Sequence, residues 1–294
     1  MKLNRRHWLQ TAGAGLGLLA WAGPLSRAVE PETFAKPSRM KVGLVTYNLA
    51  KDMDIETLIK TCEAAQIQGV ELRTTHAHGV EVSLNQEQRA VVKKRFHDSA
   101  VELMGLGSAF DYDAPDQTKL RKDIEATKEY ILLARDVGAS GVKVRPNGFP
   151  EDVPREKTLE QIGQSLREIG AFGQDYGIQI RLEVHGRGTS ELPHIKTIMD
   201  VADHPNVGVC WNSNATDLAG EGFDYNFNLV KDKIFVCHMN DLFNDRYPYR
   251  RLLTRLNEIG FEGYCLAELP HTSPDPVIVL NYFRALWLAY QNLL

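Results

Sequence analysis

Residues 159–185 read LEQIGQSLREIGAFGQDYGIQIRLEVH. Leu159, Ile162, Leu166, Ile169 and Phe172 recur at steps of three and four, the spacing that lines one face of an α-helix and requires that face to be buried. Tyr176-Gly177 then supplies a residue free to take the left-handed turn that stops a helix. The run Ile178–Val184 that follows is apolar at alternate positions and has the length of a strand. A helix, a glycine stop and a strand are one unit of a parallel α/β fold.

The same unit recurs on both sides. Apolar runs occur at Lys41–Tyr47, Gly69–Leu72, Glu102–Leu106 and Gly141–Arg145 before it, and at Val207–Trp211, Ile234–Met239 and Tyr264–Leu269 after it. Helical patterns fill the intervals, as where Ile55, Leu58, Ile59 and Cys62 form a stripe, and Gln68-Gly69, Val137-Gly138 and Ile259-Gly260 repeat the stop. Eight strands in this alternation predict one (β/α)8 TIM barrel over residues 40–294. The alternative, a doubly wound open sheet, calls for G-x-G-x-x-G after the first strand, and that pattern is missing.

The first 28 residues read as an export leader. Arg5-Arg6 precede an uncharged stretch from Trp8 to Ser26, and Ser26 and Ala28 offer a small-x-small cleavage site, the arrangement of a twin-arginine signal peptide. Gln10, Thr11 and the glycines at 13, 15, 17 and 23 make the stretch too weakly apolar for a permanent membrane anchor. Residues 29–39, with two prolines and no periodicity, are read as a linker. The expected destination is the periplasm or the medium, reached in the folded state.

The chain carries 34 basic and 38 acidic residues. Lys2, Arg5, Arg6 and Arg27 belong to the leader, so the body holds 30 against 38, a net −8 without a basic cluster, and nucleic acid is excluded as a partner. Cys62, Cys210, Cys237 and Cys265 are too scattered for a disulfide framework and are expected to be buried as small hydrophobes.

A barrel of this kind builds its active site where the strands end. Strand five ends Glu183-Val184-His185, strand six Trp211-Asn212-Ser213-Asn214, strand seven His238-Met239-Asn240-Asp241, and strand eight Glu268-Leu269-Pro270. Four consecutive strands thus deliver Glu183, Asn212, His238 and Glu268 to one rim. Two carboxylates, an amide oxygen and an imidazole suit a divalent cation, with manganese, cobalt, zinc or iron favoured over calcium by the imidazole. Residues two apart share a face, so His185 is expected beside Glu183. Lys143 and Arg145 end strand four and are read as substrate contacts, with pairing to Glu183 as the alternative. His76 and His78 follow strand two with the same parity and are read as lining the mouth, with a plain exposed loop as the alternative. Asn214 and Asp241 complete the expected substrate contacts. Phe110, Tyr112, Phe149 and Trp211 lie near strand ends, where aromatic rings either stack on sugars or simply pack.

Leu-Glu-Val-His at 182–185, Cys-Trp-Asn-Ser-Asn at 210–214, His-Met-Asn-Asp at 238–241 and Ala-Glu-Leu-Pro at 267–270, in that order, resemble the xylose isomerase-like TIM barrels of the AP endonuclease 2-type superfamily, which include ketose 3-epimerases, inosose dehydratases and the endonuclease IV group. The resemblance spans Met40 to the C-terminus. It implies a metal, Mn2+ first and Co2+, Zn2+, Fe2+ or Mg2+ otherwise, on Glu, Asp, His and Glu, which correspond here to Glu183, Asn212, His238 and Glu268. Asn212 departs from that pattern and removes one negative charge. The resemblance further implies Glu183 and Glu268 as the acid/base pair of an isomerase or epimerase working through an enediolate, His185 near the substrate oxygens, and pairing of subunits to a homo-oligomer.

A lyase performing β-elimination on 3-keto-glycosides, or a keto-inositol dehydratase, is the runner-up, and a non-catalytic sugar-binding barrel the third reading. An exported enzyme meets neutral sugars and glycosides, and the loops Asn244–Pro248 and Thr272–Pro274 lack the glycines of a phosphate cradle, so the expected substrate is a non-phosphorylated sugar or keto-glycoside.

Overall fold

The computed structural model describes residues 38–294; the expected leader, 1–28, and all but the last two residues of the expected linker lie outside the described residues. Eight parallel strands close into a barrel in sequence order: β1 (Lys41–Val45), β2 (Gly69–Arg73), β3 (Glu102–Asp111), β4 (Gly141–Arg145), β5 (Gln179–Glu183), β6 (Val207–Asn212), β7 (Ile234–Met239) and β8 (Tyr264–Ala267). β8 returns to β1 with Lys41 opposite Tyr264 and Gly43 opposite Leu266.

The outer ring comprises α1 (Tyr47–Ala50), α2 (Ile55–Ala64), α3 (Gln86–His97), α4 (Gln117–Val137), α5 (Arg155–Asp175), α6 (Leu192–Ala202), α7 (Phe223–Val230), α8 (Tyr249–Glu258) and α9 (Pro276–Tyr290). In α5 the stripe Leu159, Ile162, Leu166 and Ile169 is buried as its spacing requires. α3 begins with a reciprocal cap in which Asn85 accepts from the Gln88 N–H and the Gln88 side chain accepts from the Asn85 N–H. No helix of the described residues is long and apolar enough to cross a membrane. All four cysteines are free and buried.

Two details depart from the sequence reading. Gly138, Gly177 and Gly260 take positive φ after their helices, but in front of β2 the left-handed residue is Gln66, with φ 55°. Gly69 instead sits within β2, where a Cβ would lie 2.5 Å from the Tyr264 ring, so its lack of a side chain serves packing. β3 runs on to Asp111, beyond the expected end at Leu106, because Ser108 Oγ donates to the Lys143 carbonyl and Asp111 pairs with Arg145.

Strand alternation sorts side chains into two cores. Leu44, Leu72, Val144 and Leu182 face outward and join helix residues such as Leu58 and Leu166 in the larger apolar layer. Val45, Met104, Cys210, Val236, Tyr264 and Leu266 plug the barrel interior. On the same inward faces, toward the strand ends, stand Glu71, Lys143, Glu183, Asn212 and His238, all buried.

Candidate functional site

β5, β7 and the residue after β8 bring Glu183, His238 and Glu268 together, with one ligating atom of each lying within 4.8 Å of the others. His238 Nδ1 stands 3.6 Å from Glu183 Oε1 and 3.6 Å from Glu268 Oε1. Glu268 is held in place by its own N–H, which donates to the Met239 carbonyl at 2.8 Å. Asn212 lies opposite His238 in the β6–β7 register, and its Nδ2 donates to Glu183 Oε1 at 3.2 Å. A half-turn of that amide exchanges the N–H for an oxygen. The four expected rim residues therefore meet.

Lys143 Nζ donates to Glu183 Oε2 at 2.7 Å, so the pairing alternative describes this lysine. Burial opposes the Glu183 charge, but Lys143 and His238 outweigh it and hold the carboxyl well below its usual range. The lysine responds in kind: burial would lower it, while Glu183 and Glu71 raise it.

The remaining expected contacts divide. His185 is half-buried beside Glu183, its Nδ1 finds no hydrogen-bond partner among the described residues, and burial lowers its pKa, leaving a neutral imidazole at pH 7. Arg145 Nη2 donates to the Ala109 carbonyl at 2.9 Å, while its Nε is buried without a partner among the described residues. Asp241 faces His271 at 3.6 Å. His76 Nδ1 meets Thr46 Oγ1 at 3.0 Å at the β1–β2 corner, and burial together with Arg73 pushes its pKa down to about 4.

His78 does not line the mouth, nor is it an exposed loop residue. Its ring is buried, Nε2 meets the Arg73 carbonyl at 2.8 Å, and Nδ1 accepts from the Val80 N–H at 3.0 Å, so both nitrogens are spent within its own loop. Asn214 is likewise a brace: its Nδ2 donates to the Val184 carbonyl at 2.6 Å, tying the β6 loop to the end of β5. Trp211 and Tyr112 are fully buried, with Trp211 Nε1 donating to the Tyr247 hydroxyl at 2.9 Å, so neither ring is free to stack on a sugar.

One residue of the cluster went unassigned in the sequence. Glu71 on β2 has no exposed surface, its Oε1 stands 3.4 Å from His238 Nε2, and neither of its oxygens completes a hydrogen bond among the described residues. Both His238 nitrogens are likewise unpaired among the described residues. Burial would raise the Glu71 carboxyl, but His238, Lys143 and Arg181 outweigh burial and hold it low. The available signal was an acid inside an otherwise apolar strand, Gly-Val-Glu-Leu, followed by Gly105 and Gly107 two residues apart in the next strand.

The donors fit a divalent cation. Glu183, His238 and Glu268 converge with an amide beside them, and the buried His238 Nδ1 faces both carboxylates at 3.6 Å without completing a hydrogen bond among the described residues, the spacing of donors around an ion. In charge, Glu71, Glu183 and Glu268 outnumber the buried cations Lys143 and Arg181, and His238 stands between the three acids.

A family model described as Xylose isomerase-like TIM barrel matches residues 59–285. Solved structures similar to the chain include the IOLI protein with a zinc atom bound, at 17% identity over 85% of this chain and 99% of that one with a TM-score of 0.71. A D-tagatose 3-epimerase-like protein matches at 17% identity over 86% and 98% with a TM-score of 0.70. The apo form of the 3-keto-D-glucoside 4-epimerase YcjR from E. coli matches at 14% identity over 85% and 99%, also with a TM-score of 0.70. No curated protein matches the chain. At these identities the structural likeness carries the barrel alone.

Proposed function

Because the chain belongs to the xylose isomerase-like TIM barrel family, we propose that it is a divalent-metal-dependent sugar isomerase or epimerase acting on a non-phosphorylated keto-sugar. The observation that carries this reading is the convergence of Glu183, His238 and Glu268 within 4.8 Å in a buried layer at the strand ends. Solved neighbours that are named as sugar epimerases support the substrate class.

Glu183, Asn212, His238 and Glu268 would hold the ion, with manganese first and cobalt, zinc, iron(II) or magnesium able to use the same donors. When bound, such an ion polarises a substrate carbonyl and its neighbouring hydroxyl and so acidifies the proton on the carbon beside the carbonyl. The protein's own groups then move that proton. Lys143 keeps Glu183 ionised, so Glu183 starts as the acceptor, and Glu268, delivered from the end of β8 to the same Nδ1 edge of His238, is the second carboxyl that returns a proton. His185 Nδ1 and Arg145 Nε, both without partners among the described residues, are the groups left to hold substrate oxygens. The burial of Glu183 and His238 keeps water from competing for the proton.

A lyase is the second reading, and His185 favours it. β-Elimination from a 3-keto-glycoside, or dehydration of a keto-inositol, can run on one base that takes the proton beside the carbonyl and passes it to the departing oxygen, and His185, whose Nδ1 has no partner among the described residues and whose pKa burial lowers, is a group that can accept and then return that proton. A solved neighbour named as a probable 3-DHS dehydratase has the same barrel. Heavy water separates the two: the metal-loaded protein is incubated with ketoses and with 3-keto-glucosides and followed by NMR. Deuterium beside the carbonyl with the aglycone retained is the epimerase result; aglycone release is the lyase result. No change with either class would overturn both. The twin-arginine start adds export to the proposal, checked by fractionating cells that carry Arg5→Lys with Arg6→Lys, which should retain the protein in the cytoplasm.

A further inference from the structure

Glu71 is costly to keep. A carboxylate without exposed surface and without a completed hydrogen bond among the described residues is the kind of group a barrel interior ordinarily replaces with Leu or Val. β3 also gives up a side chain to house it: a Cβ at Gly107 would lie 2.8 Å from Glu71 Oε1, while Gly105 makes room for the neighbouring Arg181, whose Nη1 would lie 2.9 Å from a Cβ there. The fold has therefore been shaped around this charge.

What the charge faces is the back edge of His238. Nε2 stands 3.4 Å from Glu71 Oε1, whereas Nδ1 points the other way, 3.6 Å from both Glu183 and Glu268. For Nδ1 to offer a lone pair to an ion among Glu183 and Glu268, the ring must carry its proton on Nε2, the edge that faces Glu71. Across the β6–β7 register, His238 sits opposite Asn212, which brings no charge of its own.

We propose that Glu71 is the positioning residue of this centre: it fixes His238 with its proton on Nε2 and supplies, through the imidazole, negative charge that the neutral Asn212 does not bring. The inference rests on the metal-centre reading above and extends it to a residue behind the ligands.

The test is Co2+ binding to the full protein, read by titration calorimetry and by the visible absorption of the bound ion. Glu71→Gln should weaken binding by about ten- to a hundredfold and alter the absorption band, since the amide oxygen that can still accept from Nε2 carries no negative charge. Glu71→Asp, which keeps the charge but draws it back by one methylene, should fall between wild type and Glu71→Gln, and it stands in if Glu71→Gln does not fold. In an Asn212→Asp background the Glu71→Gln penalty should shrink, because the charge then comes from position 212. Wild-type affinity and spectrum in Glu71→Gln, or an undiminished penalty in the Asn212→Asp background, would overturn the inference while leaving the metal reading intact. Failure of the wild-type protein to bind Co2+ would remove the metal reading and this inference with it.

Discussion

Lys143 Nζ lies 2.7 Å from Glu183 Oε2, with 6% and 4% of the two side chains exposed. Two charges taken this far out of water depend on each other, and removing one strands the other. Lys143→Met should therefore lower the unfolding free energy of the ion-free protein by about 3–5 kcal/mol, the cost of an uncompensated buried charge. It should also remove turnover, because Glu183 would gain a proton and cease to act as a base. The double variant Lys143→Met with Glu183→Gln should recover most of the stability in chemical denaturation and none of the activity. A loss in the double variant equal to the sum of the Lys143→Met and Glu183→Gln losses would mean that the pair is not coupled.

His185 offers the clearest separation of binding from chemistry. It stands next to the cluster with Nδ1 unpaired among the described residues, yet it is not one of the converging donors. His185→Asn should leave the bound metal content at the wild-type level and reduce kcat/KM by roughly 10²- to 10⁴-fold, the range of a lost proton-transfer group. Metal analysis alongside steady-state kinetics checks it, and unimpaired turnover would remove His185 from the mechanism.

What was legible in the sequence was whatever depends on local period. The α5 stripe and the β5 run predicted their elements, and the order Glu183, Asn212, His238, Glu268 predicted the meeting of those side chains, because parallel strands of a barrel all end on one rim. Parity arguments held inside strands and failed past them. His76 and His78 were expected on one face, but Thr75 at φ 66° and Gly79 at φ 67° take the chain out of the extended region, after which a two-residue alternation has no meaning. Glu71 was hidden for a different reason. Its burial depends on room made by Gly107 in the neighbouring strand, a condition no window around residue 71 contains.

Asn212 sets how strongly the centre holds an ion. In its present form the amide donates to Glu183 Oε1 at 3.2 Å, which quiets that carboxylate in the absence of an ion. Asn212→Asp replaces this donor with a further negative charge among Glu183, Glu268 and Glu71. Ion-free Asn212→Asp should therefore melt at a lower temperature than wild type, and its melting temperature should rise further on adding Mn2+, with an affinity gain of about tenfold or more, equivalent to about 1.4 kcal/mol per factor of ten. Scanning calorimetry with and without Mn2+ measures both; an unaltered ion response would place residue 212 outside the ligand set.

Asp217 carries a pH dependence that is separate from the cluster. Burial pushes its carboxyl up to about 7, against the opposing effects of the Tyr247 hydroxyl, which donates to Oδ2 at 2.6 Å, and of the Asn214 N–H. Oδ1 has no partner among the described residues. In the unfolded chain the same group titrates near 3.8. Between those values the folded protein holds a proton that the unfolded chain has released, so this residue makes stability fall as pH rises from about 4 to about 7 and adds no further slope above that. Asp217→Asn cannot ionise and should gain on wild type across the window. Its unfolding free energy relative to wild type should increase by on the order of 3 kcal/mol between pH 5 and pH 8. Denaturant melts of both proteins at the two pH values give the difference directly, and a difference that is the same at pH 5 and pH 8 would assign the slope to another group.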